Sequence, residues 1–525
     1  MDGKKLVSII GEKIPGFVPL DISAEYADEI SLKVVPADFK GVCLVLHKIL
    51  ASPVMMIFAV DERADSGVFV IYSCFADMQQ GHWITVKIDI TADQPSFESL
   101  SKSIYSANLF EREIWEMFGI KPQGHPDLRS LHLHNEICSP GNHPLRKDFI
   151  SLTAGELSEY KFIRVEGEGI FEVPVGPVHA GIIGPGHFRF SAAGEPIINL
   201  EIRLGFTHRG VEKLMEGKAP AEGLRLAERV SGDSSFAHGL AFCRAMEKIS
   251  GIVIPGQVEY ARAIFLELER MYNHVNDLGG IALDVGFGFP AAFASVIKEA
   301  LLQLNDQLSG SRYLKDINTI GGARIEIDEA KAILIKETLK NIGRDFGELQ
   351  EMLFTNVSFM DRVDGTGILH RKIAEDLGIV GMAGRASGIA HDLRKSFPGV
   401  YREAKFRIIT AQSGDVQARL RVRTMEFEES LRLIVFFISR ISNNTKAPEN
   451  IDVKQGTALG YSEGWRGPIL YWLKINAAGR IERCIIVDPS FHNWPGLSHA
   501  VLGNIIPDFP LCNKSFDLSY AGNDL

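Results

Sequence analysis

Ile84, Val86, Ile88 and Ile90 alternate with Thr85, Lys87 and Asp89, the period of two that a half-buried strand requires. Val68 to Phe75 is a second β-rich run. Met78-Gln79-Gln80-Gly81 between the two reads as a loop, so the strands are expected to lie antiparallel. Farther along, the period becomes helical. Ile264, Leu268, Met271, Val275 and Leu278 follow Pro255-Gly256 at spacings of four, three, four and three, with Gly279-Gly280 as the expected stop. A second stripe, Ile335, Leu339, Ile342, Phe346, Leu349 and Leu353, follows Asp328, a good N-cap. A third carries Leu420, Phe427, Leu431, Ile434, Ile438 and Ile441. Three such stripes predict a helix bundle with its own core. Coiled-coil dimerisation is the rival reading, and Gly343 and Gly347 inside the second helix weigh against it.

Between these signals the chain divides in two. The first 150 or so residues read as a small α+β domain whose strands are followed by a helix over Phe97–Phe118. Lys121 to Phe149 is rich in Pro, Gly and His and has too little periodicity for a regular element, so it is expected to wrap over a partner surface or over the next domain. The charged stretch Ser158 to Gly169 is the candidate boundary, separating a domain over 1–155 from one over 165–525. The second domain opens with strands at Ile170–Val175 and Phe188–Leu204 and continues into the long helices. The expected class is α+β: a small docking domain followed by a mainly helical domain with strands at its N-terminal end.

Composition narrows the field. The formal net charge is −10, from 56 Lys and Arg against 66 Asp and Glu, and no basic cluster stands out, which argues against nucleic acid as a partner. The six cysteines form no CxxC or CxxxC pair, which disfavours a disulfide framework or a cysteine-only zinc or iron–sulfur site. Leu278 to Ile297 is the most membrane-like stretch, but Asp284, Pro290 and several glycines interrupt it. No signal peptide is read at the N-terminus, and a soluble chain in a reducing compartment is expected.

Two sets of motifs carry a resemblance. Glu111-Arg112-Glu113-Ile114-Trp115-Glu116-Met117-Phe118-Gly119-Ile120, then His125-Pro126-Asp127-Leu128-Arg129 and His143-Pro144-Leu145-Arg146-Lys147-Asp148-Phe149, resemble the 30-kilodalton subunit of respiratory complex I, a docking module without a redox centre. A metal site formed by His125, His132, His134 and His143 is the disfavoured alternative, since no supporting residues around them are evident. Gly176-Pro177-Val178-His179, Gly186-His187-Phe188-Arg189 and His208-Arg209-Gly210-Val211-Glu212-Lys213 resemble the opening of a nickel–iron hydrogenase large subunit, and equally the 49-kilodalton subunit of complex I. Gly321-Gly322-Ala323-Arg324, Arg385 to Lys395, Gly414 to Arg419, Glu463-Gly464-Trp465-Arg466-Gly467 and Asp488-Pro489-Ser490 through Pro495 continue that likeness in order. A small-then-large fusion of this kind occurs in energy-converting hydrogenases and in some complex I enzymes.

The resemblance implies four nickel-ligand positions, two near each end of the larger domain. They fall at Ser231, Ser234, Ser519 and Gly522. Soft anionic thiolates bind nickel, whereas serine hydroxyls are hard and poorly ionised and glycine has no donor, so no metal is expected on this chain. In the complex I reading, His187 and Asp284 would pair and offer a proton to a quinone headgroup, while the tyrosine position falls at Gly232; a structural pair in a buried loop is the equal alternative. His179, Glu212, Arg229, Arg324, Glu463 and Arg466 line up near the same cavity. A proton or coupling role is assigned to Glu212, and structural roles to Arg229 and Arg324. The resemblance further implies a small iron–sulfur partner with a 4Fe–4S cluster, other hydrophilic-arm subunits, integral membrane ion-translocating subunits, and a peripheral place on the cytoplasmic face of the membrane. Quinone is the candidate acceptor. A non-catalytic scaffold and an active hydrogenase with unusual ligands are the alternatives.

Overall fold

The computed structural model describes residues 3–134, 138–139, 141–151, 160–179, 183–441 and 452–525. The expected boundary at Ser158–Gly169 begins outside the described residues. In the small domain a five-stranded sheet runs in the order Asp21–Ser23, Glu29–Lys33, His82–Thr91, Val68–Asp77, Met56–Glu62. The two strands read from sequence do pair antiparallel, with Ile71 opposite Ile88 and Phe75 opposite Ile84. The helix expected over Phe97–Phe118 is shorter. Ser96–Glu98 is instead a strand paired with Lys121–Gln123, and the α-helix covers Asn108–Phe118. Glu111 explains the break: its buried carboxylate accepts hydrogen bonds from Ser99, Leu100 N–H and Ser101, which holds that segment out of helical geometry.

In the larger domain the run from Phe188 to Leu204 is a hairpin, His187–Ala193 against Ile197–Arg203, and not one strand. The main helices are Ser235–Ser250, Gly256–Asp284, Gly288–Ser309, Glu329–Thr355 and Val416–Ile438. The Glu329–Thr355 helix buries all six residues of its predicted stripe and is capped by Asp328, whose side chain accepts from Lys331 N–H. Phe346 stacks on Phe427 at 3.7 Å, so the second and third stripes face each other within one chain.

The central helix, Gly256–Asp284, does not stop at Gly279-Gly280. Those glycines serve close approach. A β-carbon on Gly279 would lie 2.9 Å from that of Ala294, and one on Gly280 would lie 2.2 Å from Lys514 Cε. The neighbouring helix and the Phe509–Phe516 helix can therefore lie directly against it. The turn at 285–287 separates the central helix from Gly288–Ser309, and among the described residues no helix is long and apolar enough to cross a membrane.

One element absent from the sequence reading joins the domains. Strands Gly456–Glu463, Pro468–Ile475 and Ile481–Val487 form an antiparallel meander apolar on both faces. Ile469, Tyr471 and Leu473 face the helical core, while Leu470 and Trp472 face the small domain. Trp472 meets Phe58 and Tyr72 at 5.0 and 5.2 Å, and Trp83 stacks on Phe397. Lys248 bridges Asp28 and Glu29, and Tyr461 donates to Asp28. The His- and Pro-rich arm wraps over the larger domain as expected: Arg129 pairs with Glu201, and Lys147 donates to Glu482 O and pairs with Glu216.

The meander can lie on the Ser235–Ser250 helix only because Gly460 lacks a side chain. A β-carbon there would stand 2.1 Å from Ala241 O and 2.4 Å from Ala245 N. Gly460→Ala should lower unfolding stability by about 3 kcal/mol, the upper range for overpacking against backbone. Urea denaturation followed by tryptophan fluorescence measures it.

Candidate functional site

The four positions implied by the resemblance converge from the two ends of the larger domain. Ser231 lies in the loop before the Ser235–Ser250 helix, with Ser234 at the N-cap position of that helix. Ser519 caps the C-terminal Tyr520–Asp524 helix by accepting from Gly522 N–H. Although 288 residues apart, the Ser231 and Ser519 hydroxyls are in hydrogen-bond contact at 2.8 Å. Arg209 fixes this meeting by donating to Arg229 O, Val230 O and Ala521 O.

The hydroxyls are directed to protein groups. Ser231 donates to Asp233 Oδ1 at 2.8 Å and Ser234 to the same oxygen at 3.3 Å. Arg466 reaches across and grips the Asp233 carboxylate with both guanidinium arms, at 2.8 and 2.6 Å. The Trp465 ring lies 3.9 Å beneath the Arg466 guanidinium, and Arg466 Nε donates to Asp517 O. The backbone at Arg466 approaches Gly381 so closely that a β-carbon on Gly381 would lie 1.9 Å from its carbonyl oxygen. Burial opposes charge on Asp233, but Arg466 outweighs it and holds the carboxyl below its ordinary value.

At the fourth position, a β-carbon on Gly522 would sit 2.6 Å from the Asp488 carboxylate. Asp488 is pinned there by His238 Nε2 at 3.1 Å and by Ser490 N–H at 2.7 Å, and His238 in turn contacts the Tyr471 hydroxyl. Three hydroxyls and one filled glycine position do not fit a nickel–iron centre. The charge at this place is carried by an aspartate–arginine pair.

The ion pair continues inward. Lys514 bonds Asp517 at 2.8 Å and approaches Asp277 at 3.5 Å, and Arg423 bonds Asp277 at 2.8 Å. Burial and the neighbouring Asp517 push Asp277 up to about 6 despite Arg423. Burial opposes ionisation of Asp517, yet Lys514 and Arg466 hold it well below the carboxylate range. Glu269 accepts from the N–H groups of Phe236 and Ala237 at the start of the Ser235–Ser250 helix, and burial pushes it up to about 8.

A second buried cluster adjoins the first through the central helix. His274 Nε2 meets Glu426 at 2.9 Å, and Glu426 meets Arg385 at 2.7 Å. Arg385 also bonds Glu463 at 2.9 Å and approaches Asp392 at 3.4 Å. Asp392 is gripped by Arg394, which reaches Glu267 at 3.1 Å, and Glu267 pairs with Arg270 at 3.2 Å.

The remaining expected positions are dispersed. His187 and Asp284 do not pair. His187 Nδ1 contacts Gly176 O at 3.2 Å, its ring lies against Phe162, and burial lowers its proton affinity. Asp284 is exposed at the end of the central helix, where partial desolvation of its carboxyl raises its pKa against the pull of Lys514. The central helix continues past Gly279-Gly280 and ends at Asp284. His179 contacts Gly186 O at 2.8 Å and closes the same glycine turn. Arg229 and Arg324 are exposed and do not line a buried cavity. Glu212 is buried at the domain seam, bonded to Arg483 at 2.7 Å and to Ile486 N–H at 2.8 Å. His125, His134 and His143 contact three different backbone carbonyls, those of Asn108, Leu204 and Glu116, and do not converge on a metal.

Residues 284–449 match the family described as the 49 Kd subunit of respiratory-chain NADH dehydrogenase, and residues 32–154 the family of its 30 Kd subunit. Formate hydrogenlyase subunit 5 of Escherichia coli strain K12 is 30% identical over 99% of this chain and 93% of its own length. The C/D subunit of NADH-quinone oxidoreductase from Bacteroides thetaiotaomicron is 30% identical over 76% of this chain and 80% of its own length. A chain from the membrane-bound sulfane sulfur reductase, an archaeal respiratory membrane complex, has the same fold, with a TM-score of 0.64 at 24% identity, covering 68% of this chain and 99% of that one.

Gly522→Cys should displace Asp488 from His238 and destabilise the chain by about 1–3 kcal/mol, measured by urea denaturation. Glu269 has a folded pKa above its unfolded one, so its contribution is complete at acid pH and is lost as pH rises toward about 8. Glu269→Gln should therefore flatten the decline of stability between about pH 5 and about 8 by one proton, about 1.4 kcal/mol per pH unit, in denaturation curves taken across that range.

Proposed function

Because the chain belongs to the family of fused 30-kilodalton/49-kilodalton subunits of complex I-like and hydrogenase-related complexes, we propose that it forms the acceptor side of an electron-transfer site without holding a metal itself. The observation that carries this reading is the Asp233–Arg466 pair seated among Ser231, Ser234 and Ser519. A small iron–sulfur partner with a 4Fe–4S cluster docks beside this loop. Leu283, Phe289 and Val296 support a docked partner: they are 62–69% exposed, Leu283 beside Asp284 at the end of the central helix and the other two on the Gly288–Ser309 helix that follows.

Electrons delivered there reduce a quinone or another small acceptor, and the reduced oxygen takes protons from buried carboxyls such as Asp277 and Glu269. Reduction changes the charge beside the Asp233–Arg466 and Asp277–Arg423 pairs. Asp277 and Arg423 are fully buried while Asp233 is half-buried, and the buried pair rearranges when its balance changes, which transmits the event to ion-translocating membrane subunits. The chain sits peripherally on the cytoplasmic face of the membrane with those subunits and the other hydrophilic-arm subunits. The separation of His187 from Asp284 favours a second reading, a scaffold kept for assembly.

The test is the intact complex purified with this chain. Its electron paramagnetic resonance should show a 4Fe–4S cluster magnetically close to a spin label on the Ser231–Ser234 loop. Asp233→Asn, assembled normally, should slow acceptor reduction by about tenfold, equivalent to about 1.4 kcal/mol of barrier. A complex with no cluster near the loop contradicts the proposal, and an unchanged rate with intact assembly supports the scaffold.

A further inference from the structure

A cavity of about 650 Å³ lies between the small domain and the larger one, away from the serine cluster. The small domain contributes His47, Lys48 and Met55, and the larger domain contributes His391, Asp392 and Glu463. Its inner wall is thus the edge of the buried Glu463–Arg385–Glu426 cluster.

The charges in that cluster do not balance. It holds four carboxylates, Glu267, Asp392, Glu426 and Glu463, against three guanidiniums, Arg270, Arg385 and Arg394. His274 does not make up the difference, because burial keeps it neutral near neutral pH despite Glu426. All seven charged side chains are buried, and an unmatched charge in that setting is expensive. One proton on a carboxylate would bring the cluster to balance. Glu267 accepts from Tyr401 and Ser430 as well as two arginines, Asp392 is held in a bidentate fork by Arg394, and Glu426 meets Arg385, His274 and Arg270. Glu463 has one arginine contact and one backbone N–H, from Leu393, and it is the member nearest to solvent through the cavity wall along with Asp392.

We propose that this interdomain cavity is a proton-exchange port, through which the surplus proton of the buried cluster, held on Glu463, passes to and from solvent by way of cavity water and the His391 imidazole. On release, the Glu463 O–H bond breaks and a bond to water or to a neutral His391 ring nitrogen forms. The remaining carboxylate keeps Arg385 and Leu393 N–H as donors. No electron moves, so the port operates whatever the acceptor at the serine site.

The groups facing Glu463 set the sign of its titration. From the Gly381–Ala386 helix comes Arg385, from the loop after it Asp392, and from the short Leu393–Ser396 helix Arg394; from the central helix and the Val416–Ile438 helix come Glu267, Arg270, His274 and Glu426. The cavity is also lined by His47 and Lys48 of the small domain and by His391, Glu375 and Asp376 of the larger one, the last two tied to Arg371 and Lys372. Burial and Asp392 together outweigh Arg385 and push Glu463 up to about 7. The proton is therefore present below neutrality and released as pH rises through it.

The test is infrared difference spectroscopy of the full chain across neutral pH, following the carboxylic-acid C=O stretch. Glu463→Gln should remove one component that titrates near 7 and leave that of Glu269. Ala51→Cys places a thiol on the exposed cavity rim, and the six native cysteines are all buried. A bulky maleimide on that thiol should slow hydrogen–deuterium exchange of the Glu463 component by about tenfold and leave the Glu269 component unchanged. Persistence of the component in Glu463→Gln overturns the assignment of the proton. Unchanged exchange after labelling overturns the port, and this arm reads the native glutamate, so it stands even if the glutamine variant does not fold.

Discussion

An ionised side chain taken out of water destabilises a protein by several kcal/mol unless a partner and further hydrogen bonds meet it. The Gly256–Asp284 helix imposes that constraint repeatedly, because Arg262, Glu267, Glu269, Arg270, His274 and Asp277 are all buried along it. Glu267 and Arg270 meet each other along the helix, and the further partners come from elsewhere in the chain. Arg262 draws in Glu247 and the carbonyls of Thr319 and Gly322. Asp277 and His274 call for Arg423 and Glu426, which lie three residues apart on one helix and so arrive together. Arg270 reaches the carbonyls of Glu463 and Gly464, which positions the turn that carries Trp465 and Arg466. The location of the serine cluster is thus a consequence of matching charge on one central helix.

Replacing thiolates by serine is therefore more than a loss of ligands. A thiolate-bound metal centre would bring its own charges into the interior, and the surrounding residues would have to balance them. Here Asp233 and Arg466 balance each other, and Asp277, Asp517, Lys514 and Arg423 extend a set with equal numbers of acids and bases. Asp488 occupies the space that a side chain at 522 would need. The site is electrostatically self-sufficient, yet it retains carboxyls whose protonation responds to nearby charge.

How legible these features were depended on how each element meets solvent. The Glu329–Thr355 helix has one buried face, so its stripe predicts its burial residue by residue. The central helix is buried nearly all round, which blurs its period and makes Gly279-Gly280 look like a stop when they are contact points. The strand Pro468–Ile475 is buried on both faces except at Lys474, so it shows no alternation to read. The motif-based register for Ser231 and Ser519 brings the two hydroxyls together, a contact that no local pattern could reveal. Asp233 stood in the same loop, but its role depends on Arg466, 233 residues away, and became apparent only in three dimensions. His187 and Asp284 fail as a pair because tertiary placement separates them: His187 is held by Gly176 O in the strand layer, and Asp284 is exposed at the end of the central helix.

The most direct measurement is diffraction from crystals of the assembled complex, recorded on both sides of the nickel absorption edge. The account predicts continuous density from the Arg466 guanidinium to Asp233, serine hydroxyls in mutual contact, and no anomalous peak among residues 231, 234, 519 and 522. A nickel peak bonded within that group would contradict it.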